Sequence, residues 1–105
     1  MQDLAFFIAA HFLSDFPLQP NWMLEEKFKF GKTELGTLSL FAHAYIQAFI
    51  LGMTAYYLGY DAWLFAIVIG ITHFFIDLGK IRGLYGVWAD QILHFVIIIL
   101  LITLL

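Results

Sequence analysis

The sequence predicts an all-α protein, a four-helix transmembrane bundle made of one domain over residues 1–105. Two observations predict it: the excess of apolar residues, and their arrangement in four long runs. Of the 105 residues, 63% are hydrophobic, 19% aromatic and 12% charged, where an average soluble domain carries about 25% charged residues. Mean hydropathy is +0.89. A chain this short cannot hide so much apolar surface in a water-soluble core, because a small domain buries only about 60% of the surface its unfolded chain exposes. The composition excludes a disordered chain and an electrostatic nucleic-acid binder, and the expected partner is the lipid bilayer. With no cysteine, disulfides, iron–sulfur clusters and thiolate zinc sites are excluded too.

The first run, Leu4 to Leu18, has 15 residues and is stopped by Pro17 and Pro20. A hydrocarbon core of about 30 Å needs about 20 helical residues, so this run reads as a short first span whose outer end is the N-terminus. It lacks the positive leading segment of a cleavable signal peptide and carries His11 and Asp15. Thr37 to Leu58, Ala62 to Gly79 and Trp88 to Leu105, with 22, 18 and 18 residues, are each long enough to span. One long connection, about 19–36, and two short ones join them, and short connections make neighbouring helices antiparallel.

All five Lys and Arg residues lie in two connections: Lys27, Lys29 and Lys32 after the first span, Lys80 and Arg82 after the third. The positive-inside rule then turns both connections to the cytoplasm and both termini outward, with the basic clusters against anionic headgroups. Trp22, Trp63, Trp88, Tyr60 and Tyr85 fall near predicted boundaries, as interfacial aromatics do. Gly52, Gly59, Gly70 and Gly79 are expected to permit close helix packing.

A short motif recurs. His11-Phe12-Leu13-Ser14-Asp15-Phe16 in the first span matches His73-Phe74-Phe75-Ile76-Asp77-Leu78 in the third. The second and fourth spans each carry one His near their start, His43 and His94. The chain is therefore readable as a duplicated helical hairpin with parallel pseudo-symmetry.

The chemistry lies in the ionisable residues of the spans. Each span holds one His, and three spans hold an Asp: Asp15, Asp77 and Asp90. An intramembrane Asp costs about 2.5 to 3.5 kcal/mol on insertion scales and persists where something compensates it. The predicted spans contain no Lys or Arg, so the net charge of −3 is expected to reside in these three carboxylates, uncompensated. His11–Asp15, His73–Asp77 and Asp90–His94 are each four residues apart, which sets both groups of a pair on one helical face. Counted from the cytoplasmic connections, all four His lie about 9–12 Å deep, with the Asp level about 6 Å shallower.

The expected arrangement is an imidazole ring bordered by carboxylates. Gln47 and Gln91 are candidates to complete it, with Ser14, Ser39 and Thr72 as candidate hydrogen-bond donors behind it. His and carboxylate side chains are the usual ligands of a divalent metal ion, zinc first, with manganese, iron or nickel as alternatives. Haem ligation by two His is the weaker option, because it leaves the Asp partners without a role.

These residues resemble the small bacterial and phage membrane proteins called "domain of unknown function 3307". His11 to Gln19 resembles that family's H-x-x-x-D-x-x-x-Q signature. Asn21-Trp22-Met23 with Lys27 resembles the segment that follows. Ala42-His43, Thr72-His73-Phe74-Phe75-Ile76-Asp77 with Lys80, and Asp90-Gln91-Ile92-Leu93-His94 resemble the later motifs. The family often has a further His where this chain has Gln47, which removes one possible ligand and puts a second metal in doubt, not the first. The resemblance implies the bacterial inner membrane. A looser similarity links the pattern to inner-membrane metal-dependent hydrolases.

The leading expectation is a metal-dependent membrane hydrolase acting on a lipid or other amphipathic substrate. His11, His43, His73 and His94 are the candidate metal ligands. Asp15, Asp77 and Asp90 are candidates both as ligands and as catalytic bases. The alternatives are a divalent-metal or proton transport subunit, for which the aliphatic run Ile97 to Leu105 offers no continuing polar path, and a non-catalytic membrane assembly protein with a structural polar core. A homo-oligomer is compatible with all three.

Overall fold

The computed structural model describes residues 2–16 and 21–104. The expected stop at Pro17 and Pro20, Leu18, Gln19 of the first motif, and Leu105 all lie outside the described residues. The described secondary structure is all helical: α1 (Gln2–Asp15), α2 (Asn21–Lys27), α3 (Glu34–Leu58), α4 (Ala62–Ile81) and α5 (Val87–Leu104). Three of these, α3, α4 and α5, are long and apolar enough to cross a membrane, and they coincide closely with the predicted second, third and fourth spans. The 14-residue α1 is not among the three.

The local signals for these helices are visible in the chain. Thr33 caps α3 from an extended backbone, its hydroxyl oxygen accepting from the Gly36 amide at 2.9 Å. Gly59 ends α3 in the left-handed region (φ 89°), and the Tyr60 amide reaches back to the Ala55 carbonyl at 2.9 Å. The Asp61 carboxylate then caps α4 by accepting from the Leu64 amide at 3.1 Å. The expected packing roles of the glycines divide. Gly52 and Gly70 do mark the close crossing of α3 and α4, where an added Cβ would meet Ala66 and Ala48 at 3.1 and 3.2 Å. Gly59 is a cap, and Gly79 makes room for the Tyr85 ring.

The long connection over 19–36 differs from expectation, because it contains α2. Connections beyond about 12–15 residues are uncommon unless they carry structure or function, and Met23 and Lys27 are spaced to share one helical face. Both are buried, and α2 packs on α3. The contact is close at Gly36, where a Cβ would come within 2.6 Å of the Lys29 carbonyl and 2.8 Å of the Glu26 carbonyl oxygen.

The bundle has two interiors. At one end Phe7, Leu51, Ala55, Phe65, Ile69, Ile98 and Leu101 form a continuous apolar core. At the other end His, Asp, Gln and Lys side chains are buried. The outer surface is apolar, with Phe49, Ile67, Phe75, Ile92 and Leu100 all exposed. Exposed apolar surface on this scale marks contact with lipid or partners.

Candidate metal centre

Helices α1, α3, α4 and α5 each deliver one imidazole to the same place. His73 of α4 is central: its ring lies 4.2 Å from that of His94 and 4.7 Å from that of His43, centre to centre. His11 sits 5.1 Å from His94 and 6.3 Å from His73. All four His and all three Asp are buried. The i,i+4 spacing brings His11 Nε2 to 3.6 Å from Asp15 and His94 Nε2 to 3.4 Å from Asp90.

Among the described residues, two groups could hold an ion. Asp15, His43 and His73 form one; His73, Asp77 and His94 form the other, with the ligand atoms of each group within 4.8 Å of one another. His73 belongs to both. His11 and Asp90 stand beside these groups rather than in them. A four-coordinate ion with ligands at about 2.0–2.2 Å needs donors closer together than this, so the side chains of either group would have to draw in to hold one. The second group carries the clearer sign of a ligand. The Nε2 atoms of His73 and His94 are buried without a hydrogen-bond partner among the described residues. Both residues line a cavity of about 10 Å³, together with His11, Gln47 and Thr72. That is the space of a single water or ion.

The hydrogen bonds assign the remaining polar groups. Gln91 is the hub: its amide donates to Asp15 at 2.8 Å and to Asp90 at 3.1 Å, and its carbonyl oxygen lies 2.9 Å from His11 Nε2. His43 Nε2 pairs with Asp15 at 2.9 Å. Gln47 donates to the His11 carbonyl at 3.3 Å. Two expected donors behind the ring are corrected. The Ser14 hydroxyl donates to the Ala10 carbonyl and the Thr72 hydroxyl to the Val68 carbonyl, each at 2.7 Å, because a short hydroxyl on a helix reaches its own preceding turn first. Ser39 is buried and has no hydrogen-bond partner among the described residues.

The expectation of an uncompensated negative cluster is also corrected. Lys27, at the C-terminus of α2, is completely buried and donates to Asp77 at 2.7 Å. Lys80 lies 3.6 Å from Asp77 and 3.5 Å from Asp90. Three carboxylates therefore face two ammonium groups. The positive-inside rule treats connection lysines as surface charges, and that is why Lys27 was missed. The signals available were its spacing from Met23 and the length of the connection. Over the cluster lies Tyr85, whose hydroxyl donates to the Ile76 carbonyl. Burial raises its phenol pKa, and the carboxylates of Asp90 and Asp77 add to that shift.

A family model described as "Protein of unknown function (DUF3307)" matches residues 4–105. No curated protein and no solved structure matches the chain.

Proposed function

Since the chain belongs to the DUF3307 family, whose description gives no activity, we propose a function from the cluster itself: an integral membrane protein with an intramembrane divalent-metal centre. Zinc is the first candidate ion. The observation that carries this reading is the pair of buried Nε2 atoms of His73 and His94, neither meeting hydrogen-bond geometry among the described residues and the second 3.4 Å from Asp90, at an ion-sized cavity, with Asp77 in the same group. A buried polar atom without a partner costs about 1–3 kcal/mol, and two converging imidazole nitrogens beside a carboxylate lose that cost when they share a cation. The apolar outer faces of α3, α4 and α5 support the membrane setting.

A divalent ion there is a Lewis acid that brings the pKa of a bound water to about 7. The reaction we propose is hydrolysis of a lipid or other amphipathic substrate. Asp90 is the candidate base, since its Oδ1 has no hydrogen-bond partner among the described residues and lies beside His94. Asp77 acts as a ligand in this scheme. Asp15, held by His43 and Gln91, orients the rings. The second reading, passage of an ion between two positions, draws on the membership of His73 in both groups.

Elemental analysis of the protein purified in detergent tests the centre. About one equivalent of metal is expected, and His73→Ala should abolish it. A metal-free protein whose unfolding does not respond to added zinc or manganese would sink the reading. Metal uptake by proteoliposomes without ester hydrolysis would favour passage over catalysis.

A further inference from the structure

The buried Lys27 is not needed to ligate an ion, yet it occupies the centre. Its ammonium sits 2.7 Å from Asp77 Oδ2, on the one carboxylate of the group whose two imidazole Nε2 atoms have no hydrogen bond among the described residues. An ion bound by Asp77 and a lysine bound by Asp77 would be two cations on one carboxylate, in surroundings that screen them poorly. Lys80 is held differently, since it projects from the long helix α4 and remains partly exposed. Lys27 is carried by α2, a 7-residue helix seated on α3 at Gly36.

We propose that Lys27 is a tethered counter-cation of the metal centre, and that a divalent ion enters by displacing it together with α2. The proposal rests on the metal-centre reading above and adds how the site is regulated. Charge balance supports it. With Lys27 in place, three carboxylates face two ammonium groups and one negative charge is in excess. An ion added beside Lys27 would leave one positive charge in excess. With the ion in and Lys27 out, the three carboxylates are balanced by Lys80 and the ion. A buried cluster in a low-dielectric interior favours the neutral arrangement. The same movement opens a route to side chains that are otherwise closed off. The released ammonium moves toward the polar connection that holds Lys29 and Lys32.

The test uses the full chain in detergent, titrated with zinc or manganese salts. Lys27→Met is expected to bind the metal about tenfold or more tightly than wild type, while Lys27→Arg, which keeps the cation, binds as wild type does. The chain has no cysteine, so Phe28→Cys, at an exposed position beside Lys27, takes a single fluorescent label. Metal should shift its emission in the otherwise wild-type protein. With Lys27→Met the emission should already be shifted before metal is added. Equal or weaker binding by Lys27→Met overturns the proposal while leaving the metal centre intact. So does a label that stays silent in wild type at saturating metal, and this readout decides alone if Lys27→Met does not fold. Absence of binding by wild type and both Lys27 variants rejects the metal centre itself, and this proposal with it.

Discussion

At one end of the bundle Phe7 stacks on Phe65 at 4.8 Å, Tyr60 meets both rings, and the Tyr60 hydroxyl donates to Asp3 at 2.7 Å. At the other end four imidazoles, three carboxylates and two lysines fill the same cross-section. The first end is held by shape, and its side chains can be exchanged for others of similar volume at modest cost. The second is held by a balance of charges and hydrogen bonds, in which removing one member strands its partner. Substitutions at the apolar end are therefore expected to change stability alone, and those at the polar end to change stability and function together.

The strongest way to break that comparison is Asp77→Asn. It leaves the Lys27 ammonium buried without its carboxylate, and breaking a buried pair from one side costs about 3–5 kcal/mol. Unfolding in detergent should show that loss, and Lys27→Met in the same chain should recover part of it. Full additivity of the two substitutions would mean that the pair is not coupled.

Next, Gly36→Ala should unseat α2, because the new methyl group collides with the Lys29 and Glu26 carbonyls. Overpacking of this kind costs about 1–3 kcal/mol, and faster proteolysis near residues 28–33 is the readout. An unchanged cleavage rate would argue against the close contact.

Phe7→Leu, at the apolar end, should cost about 1–2 kcal/mol through lost volume and the lost ring stack. Metal content should not change, and a fall in metal content would contradict the separation of the two ends. Tyr60→Phe should be milder still, at about 0.5–1.5 kcal/mol for one hydrogen bond.

The smallest effect concerns pH. The pKa of Tyr85 is raised in the fold, so its contribution is complete below the unfolded value of about 10 and is lost as pH rises through the folded value. Tyr85→Phe should remove that part of the alkaline loss of stability. An alkaline profile unchanged by the substitution would mean that Tyr85 contributes nothing to it.

Much of this was legible in the sequence, for reasons specific to each residue. Apolar runs of 18 to 22 residues have few alternatives to a helix, and the boundaries of α3, α4 and α5 followed from them. The buried His and Asp were found because an ionisable residue inside an apolar run is costly and conspicuous. The spacing of Lys27 from Met23 hints at its burial, but its partner was not legible, because a lysine in a polar connection looks the same whether its ammonium meets water or a carboxylate fifty residues away. The Ser14 and Thr72 hydroxyls were misplaced for a related reason. Spacing tells which helical face a residue shares, and it does not tell which acceptor lies nearest. The hub role of Gln91 needed α1 and α5 side by side before it could be seen.

The sharing of His73 between two ligand groups sets a limit on capacity. A neutral imidazole has one nitrogen with a free lone pair, and the other carries a hydrogen. His73 can therefore serve one group at a time, and filling one withdraws a ligand from its neighbour. Two ions bridged by His73 would require the ring to lose that one remaining N–H proton and become an imidazolate. On the proposed reading the cluster offers two overlapping seats to a single occupant, and titration to saturation should end at one equivalent however much metal is supplied.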